Sequence, residues 1–416
     1  MKYLILGASA AGLSAVRAIR QLDAGGEITV LSRDRQIYSR CLLPEVLAGR
    51  KDPGATRFVP EDFLERHGAR WFGGVEATRL LTGEKAVLAD TGDKFTYHRL
   101  LIATGASSFL PPVENIRKGR QVYGLRNLED VEAISAAAGK GRGAVIMGGG
   151  LVGVDAAAAL NERGVSVTII EAAGHILPLQ LDRRAAERYQ HIFRKRGMEI
   201  ITGEMVTRIL LDGDDNVTGV ELKGGRTIPC ALVVAAAGVT PNISLLKDTA
   251  VETGRGIRVD EYQETSVADI FAAGDVCESL EAFTKKITTT PIWPLAVQQG
   301  RVAGWNMAGA RRKPLNNFAF RNSMEFYGLP AVSYGLTEAP GPGYETFTRE
   351  SGESYKKFIL KNGRLRGAIL QGDITGAGVY GALIRENIPA GATGEKLFGL
   401  TYADFFNQLE DGSFIF

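Results

Sequence analysis

Two stretches that each read as strand, glycine-rich turn, helix and strand, at residues 2–34 and 144–171, predict an α/β chain built on two Rossmann-like dinucleotide-binding domains. A third observation is a strand-rich last hundred residues, which form a separate C-terminal part.

In the first unit, KYLILGASAAGLSAVRAIRQLDAGGEITVLSRD, Tyr3 to Leu6 is an apolar run of strand length. Gly7, Ser9 and Gly12 follow at G-x-G-x-x-G spacing, with Ser9 in place of the middle glycine. Small residues through Gly7, Ala8, Ser9, Ala11 and Gly12 let the backbone approach a pyrophosphate, and the start of the helix presents unpaired N–H groups to its charge. Leu13, Val16 and Ile19 recur at helical spacing, and Ile28 to Leu31 returns as the second strand. An acidic residue usually ends that strand and accepts from the ribose hydroxyls. Here the position holds Ser32, with Asp34 two residues on, and the contact falls to one or the other.

The chain has 416 residues, enough for two or three domains with sizeable cores. Glycine is abundant: 51 of 416, about 12%, against an average of about 7%, as backbone approach to phosphates requires. A net charge of +2 gives no reason to expect nucleic acid or a membrane surface. No leader pattern and no apolar run of membrane-spanning length is present, so the expected location is the cytoplasm. Cys41, Cys230 and Cys277 stand far apart and offer neither a C-x-x-C pair nor a metal cluster.

Gln36 to Arg50, QIYSRCLLPEVLAGR, reads as a short helix with Ser39 as its cap, Pro44 in its first turn and Gly49 ending it. Cys41 would then lie near a helix N-terminus and beside Arg40, both of which favour a thiolate. The other reading makes Cys41 a small packed residue. Arg40 reads either as a pyrophosphate contact or as a solvated charge. Helix and short strands are expected between Thr56 and Tyr97, and Leu100 to Ser107 is another apolar strand running into a glycine turn.

The second unit, AVIMGGGLVGVDAAAALNERGVSVTIIE, matches the fingerprint in full at Gly148, Gly150 and Gly153. Glu171 ends its return strand 18 residues after Gly153. A carboxylate there accepts from a free ribose 2′-hydroxyl and repels a 2′-phosphate, so NAD is expected over NADP. Two units imply two nucleotides, and the economical pair is a flavin with a nicotinamide. Two further strand-and-turn segments follow, Leu232 to Asn242 and Thr265 to Asp275.

GASAAG at 7–12, ATGA at 103–106, GGGLVG at 148–153, Glu171, AAGVTPN at 236–242 and TSVADIFAAGD at 265–275 appear in one order across most of the first 310 residues. In this the chain resembles the pyridine nucleotide-disulfide oxidoreductase superfamily. The resemblance implies an NAD domain inserted in a split FAD domain, plus an α+β C-terminal interface domain. The expected bounds are 1–110 and 237–314 for FAD, 111–236 for NAD, and 315–416 for the interface domain, which in the family can mediate dimers. It also implies that Asp275 holds the flavin ribityl hydroxyls and that Thr104 and Gly105 approach the FAD. Ala8, Leu151, Val152, Val75, Ala103, Ala237, Gly238, Gly274 and Leu295 complete the expected cofactor-binding set for FAD and NAD(H), with no metal.

YSRCLLPEVLAG and PIWPLAVQQGRVAGWNMAG, residues 291–309, resemble the branch of rubredoxin and ferredoxin reductases, the flavin part of nitrite reductases, and NADH oxidases. Superfamily members with a single active-site cysteine near this position usually place glycine after it, whereas Cys41 precedes Leu42. The resemblance implies an NADH-dependent enzyme exchanging electrons with rubredoxin, ferredoxin or an iron-sulfur subunit of a larger complex such as an aldehyde oxidoreductase. Direct oxygen reduction, or Cys41-dependent reduction of a disulfide, polysulfide or peroxide, are the alternatives. A flavin-binding or NAD-sensing interaction protein is a further reading. In the last hundred residues, Asn362-Gly363 within KKFILKNGRLRGAIL signals a hairpin. His67, His98, His175 and His191 are isolated and read as surface or satisfied residues.

Overall fold

The computed structural model describes every residue except 140, 141, 315, 406, 409–413 and 416, so the domain boundary expected at residue 315 falls outside the described residues. Three five-stranded sheets carry the fold. The first is parallel throughout, in the order Ile270–Ala272, Arg99–Ile102, Lys2–Leu6, Glu27–Ser32, Ala69–Gly73. Its first four strands are buried on both faces and therefore largely apolar, while the edge strand Ala69–Gly73 is half-exposed. Alternation still decides direction: Tyr3 and Ile5 pack with Leu13, Val16 and Ile19 of the helix Ala10–Leu22, whereas Leu4 and Leu6 enter the opposite core with Leu80 and Leu100. The strand order reverses at Lys2–Leu6, which places a ligand crevice beyond its C-terminal end.

That first helix is packed closely by Trp293–Met307. A Cβ at Gly300 would lie 2.0 Å from the Ala11 carbonyl oxygen, and one at Gly304 would lie 2.6 Å from that of Ala15. Only glycine lets the two backbones meet at this distance, so the Gly300-x-x-x-Gly304 spacing locks the later segment onto the opening unit.

The second sheet repeats the first, with the parallel order Glu199–Thr202, Val167–Glu171, Ala144–Met147, Leu232–Ala235, Val122–Tyr123. The antiparallel pair Ala106–Ser108 and Val239–Pro241 links the two sheets. Asn242 secures the link: its side-chain amide donates to the Thr104 carbonyl at 2.9 Å, and its own carbonyl accepts from the Thr104 hydroxyl at 2.8 Å.

The third sheet is antiparallel, in the order Arg321–Phe326, Leu329–Gly335, Arg364–Gln371, Ser354–Lys361, Glu345–Ser351. The hairpin expected at Asn362-Gly363 is present, with φ of 51° and 69°, the two positive values a tight primed turn needs. The helix Ala377–Arg385 covers one face through Tyr380, which lies 4.3 Å from Phe358, ring to ring. The opposite side docks onto the second domain through the helix Arg183–Lys195, whose Tyr189 hydroxyl donates to the Leu329 carbonyl at 2.8 Å. No helix among the described residues is long and apolar enough to cross a membrane.

Candidate active site

A cavity of about 680 Å³ opens where the three parts meet. Among the residues expected to bind cofactors, Gly7, Ala8, Ser9, Ala11, Ser32, Asp34, Arg40, Cys41, Pro44, Val75, Ala103, Thr104, Gly105, Leu151, Val152, Gly274 and Asp275 all line it.

One wall is the first fingerprint turn. Gly7 has φ of +114°, and a Cβ there would lie 2.2 Å from the Ala103 carbonyl oxygen. Gly12 lies beneath the turn, where a Cβ would meet the Gly7 carbonyl oxygen at 1.8 Å, and so shapes the cradle without lining the cavity. Ser9 occupies the cap position of the following helix but makes no side-chain capping bond. The helix start thus offers backbone N–H groups to the cavity, as a pyrophosphate requires. Cradle and donors fit the phosphate portion of a flavin dinucleotide.

At the end of Glu27–Ser32, Asp34 is engaged by its neighbours. Arg40 donates to it at 2.7 Å and the Tyr38 hydroxyl at 3.2 Å, while the Arg40 guanidinium lies 5.1 Å from the Tyr38 ring centre. The side chains of Arg40 and Asp34 are only 21% and 15% exposed, so Arg40 is not a solvated charge. Its partner here is the carboxylate, on the cavity wall.

Cys41 lies in the short turn Arg40–Leu42, ahead of the helix Leu43–Leu47, and Gly49 takes the left-handed conformation expected after it, with φ of +76°. Cys41 is exposed, so it is not the small packed residue of the second reading, and its setting does not favour a thiolate either. Desolvation by the surrounding protein pushes the Cys41 thiol up, Asp275 adds to this, and a hydrogen bond with Ser39 and the charge of Arg126 oppose it. Arg40, the neighbour expected to help, is turned to Asp34.

Asp275 faces the cavity and forms an ion pair with Arg126, whose Nε also donates to the Ala106 carbonyl at 3.0 Å. The sequence reading missed Arg126. It stands immediately before Asn127, which with Asp130 forms a capping box on the helix Leu128–Ala137, and that box was the available signal that the Arg126 backbone is fixed. Leu295 is fully buried in its helix and does not itself line the cavity, while Pro291, Ile292, Trp293, Pro294 and Ala296 around it do.

The second fingerprint has the same construction. Gly148 has φ of +106° with the Ala236 carbonyl oxygen 2.6 Å from a would-be Cβ, and Gly153 would place one 1.9 Å from the Gly148 oxygen. Gly150 has nothing within 4 Å of that position, leaving room for close approach of a ligand. Ala237 and Gly238, the latter with φ of +111°, lie beyond the end of the neighbouring strand Leu232–Ala235. Glu171 is nearly buried, and its two oxygens accept from Gly149 N at 2.6 Å and Ala173 N at 2.7 Å. Each oxygen retains a lone pair for a ribose hydroxyl. This arrangement fits a nicotinamide dinucleotide whose helix, Leu151–Glu162, carries Leu151, Val152 and Asp155 into the shared cavity. Asp155, also missed, has its carboxyl pushed up to about 7 by burial, with Glu45 adding to the shift and Arg50 opposing it.

Cys230 and Cys277 are buried, and three histidines are held by the backbone: His67 Nδ1 lies 2.7 Å from the Phe63 carbonyl, His98 Nδ1 accepts from Lys2 N at 2.9 Å, and His175 Nδ1 lies 2.9 Å from the Ile176 carbonyl.

Residues 1–300 match the family model described as pyridine nucleotide-disulphide oxidoreductase, and residues 321–388 match the rubredoxin NAD+ reductase C-terminal domain. The chain belongs to the pyridine nucleotide-disulphide oxidoreductase family. It is similar to the epsilon subunit of NADH-dependent phenylglyoxylate dehydrogenase from Aromatoleum evansii, 34% identical over 91% of this chain and 88% of that one. Among solved structures it resembles an NAD-dependent persulfide reductase from A. fulgidus, with a TM-score of 0.86, 27% identity, and coverage of 96% of this chain and 79% of the other. It also resembles NADH:rubredoxin oxidoreductase from Clostridium acetobutylicum, with a TM-score of 0.78, 25% identity, and coverage of 95% and 98%. The family member described here is an oxidoreductase whose cofactors are FAD and NAD(H).

Proposed function

We propose that this chain is the NAD-linked flavoprotein of an electron-transfer system, exchanging electrons between NADH and a protein partner: a rubredoxin, a ferredoxin or an iron-sulfur subunit of a larger complex. The observation that carries the reading is the single cavity shared by both fingerprint helices, with Ser9 and Ala11 on one wall and Leu151 and Val152 on another. When bound, the nicotinamide supplies a hydride and the flavin returns electrons singly or in pairs. The protein's part is positional. Gly7 and Gly12 shape the first phosphate cradle, Gly148 and Gly153 the second, and Glu171 selects the unphosphorylated ribose. Arg126 fixes the Asp275 carboxylate for the ribityl chain, and Asp34 with Arg40 forms the adenosine-side wall. The relatives support the reading, one being a subunit of an NADH-dependent dehydrogenase and another an NADH-rubredoxin oxidoreductase.

The test is anaerobic reduction of the yellow protein with NADH, followed by rapid mixing with air or with oxidised rubredoxin or ferredoxin. Slow reoxidation by air with fast reoxidation by a carrier protein is expected. Fast reoxidation by air would make the chain an NADH oxidase, the activity named for a relative in Methanocaldococcus jannaschii that is 31% identical over 82% of this chain and 79% of that protein. A Cys41→Ser variant that retains carrier reduction separates this function from a thiol-dependent one.

A further inference from the structure

Beside the mouth of the cavity lies a surface that none of the chemistry above uses. The antiparallel strands Cys277–Leu280 and Ile287–Thr289 place Leu280 directly opposite Ile287, and these two apolar side chains are 58% and 63% exposed. Phe320, 36% exposed, extends the patch through Phe283, whose ring centre is 5.6 Å from its own. Apolar cross-strand pairs are normally covered, and contiguous exposed ones mark interaction sites.

The rim of this patch is cationic. Lys285 and Lys286 are exposed at the tip of the same hairpin, and the Arg366 guanidinium lies 4.3 Å from the Phe283 ring centre. Both acids in the hairpin are buried: Glu278 accepts from the Arg255 backbone N–H at 3.1 Å, and the fully buried Glu281 carboxylate accepts from the backbone N–H groups of Phe283 at 3.0 Å, Thr284 at 2.6 Å and Ala319 at 3.1 Å. Arg321, next to Phe320, has a buried Nε with no hydrogen-bond partner among the described residues. Burial lowers the Arg321 guanidinium from its ordinary value, with the charge of Arg385 adding to the shift and Tyr334 opposing it.

The patch is continuous with the redox cavity. The strand Ile287–Thr289 runs directly into Pro291, Ile292 and Trp293, and Phe320 runs into Arg321 and Asn322, all of them cavity-lining. Patch and cavity lining are thus carried on the same two segments of the chain.

We propose that Leu280, Ile287 and Phe320, framed by Lys285, Lys286 and Arg366, form the docking surface for a small acidic one-electron carrier protein. This rests on the proposed function. An apolar centre with a single-sign rim is what a transient redox complex needs: the rim steers an oppositely charged partner, and the centre gives the short-lived complex its contact area.

The test compares wild type, the double variant Lys285→Glu/Lys286→Glu, and Ile287→Ser. The holoenzyme is driven by NADH, with a [2Fe–2S] ferredoxin, a rubredoxin, or the small uncharged quinone menadione as acceptor. Both variants should raise KM for the carrier protein at least tenfold, with kcat and the menadione rate unchanged. The salt dependence of kcat/KM should flatten in the charge variant alone. Unaltered carrier kinetics in both variants, in an enzyme that reduces the carrier, would overturn the docking surface and leave the functional reading standing. Failure of the wild type to reduce either carrier overturns both. A wild-type dimer in solution that Ile287→Ser converts to monomer would identify the patch as an interface between copies of the chain and would also overturn the proposal.

Discussion

The ammonium group of Lys357 lies 3.0 Å from Oδ2 of Asp182, and both side chains are almost closed to solvent, at 7% and 5% exposure. The pair joins the C-terminal sheet to the second nucleotide domain. Asp182 caps the helix Arg183–Lys195 through Ala185 N at 2.9 Å and also accepts from the Tyr355 hydroxyl at 2.6 Å. Lys357 additionally reaches Glu338 at 2.7 Å. The sheet that closes the cavity mouth is therefore tied by buried charge to the domain that brings Glu171 and Asp155.

Breaking this pair from one side should be costly. Asp182→Ala leaves a buried ammonium with only the exposed Glu338 and removes a helix cap, and a loss of about 3–5 kcal/mol is expected. Replacing both partners by apolar residues, as in Asp182→Leu/Lys357→Met, should recover part of it, because no unpaired charge remains. Denaturant midpoints of the two variants, measured on the holoenzyme, check the order.

Arg126→Ala should weaken flavin retention. It removes the guanidinium paired with Asp275 and the bond to the Ala106 carbonyl, leaving the Asp275 carboxylate free to turn. About a tenfold or greater loss of FAD affinity is expected for a charge-assisted contact. Gel filtration followed by the absorbance ratio of flavin to protein reads it.

Glu171→Ala should blunt the choice between NADH and NADPH. The carboxylate is held by Gly149 N and Ala173 N, so its charge stands fixed at the ribose end of the site. Removing it takes away both the acceptor for the 2′-hydroxyl and the repulsion of a 2′-phosphate. KM for NADH should rise about tenfold while that for NADPH falls, for each hydrogen bond to a charged group is worth about 1.5–3 kcal/mol.

The features legible in the sequence were those imposed by backbone sterics. Gly7, Gly12, Gly148 and Gly153 occupy positions where a Cβ would meet a carbonyl oxygen, and Asn362-Gly363 supplies two positive φ values, so spacing alone announced them. Arg126 and Asp155 were not legible. Arg126 acquires its role by meeting Asp275 across 149 residues of sequence, and Asp155 by being enclosed between the fingerprint helix and the segment bearing Glu45. The placing of Leu295 was not legible for a related reason: a helix in the right place turns only some of its residues to the cavity, and the sequence did not say which. Arg40 stood beside Cys41 in sequence, but geometry gave it to Asp34.

Asp155 gives the sharpest pH prediction. Its carboxyl is raised from an ordinary 3.8 to about 7, first by burial and then by Glu45, with Arg50 opposing. Arg50 has little left to offer, since it bonds Glu45 at 2.7 and 2.8 Å and also pairs with Glu162. For an acid with a raised folded pKa, the folded state holds its proton in a range where the unfolded state has released it. The group therefore costs nothing below about pH 4, the cost grows as pH rises toward 7, and it is constant above that. Asp155→Asn removes the titration while keeping shape, so the variant should gain on the wild type between pH 5 and pH 8, by about 2 kcal/mol after allowance for the water of the cavity. Denaturation midpoints of the flavin-free proteins at the two pH values measure this directly. An equal difference at both pH values would mean that Asp155 is ionised throughout, and that the cavity floor is better solvated than its lining of Pro44, Leu151 and Val152 implies.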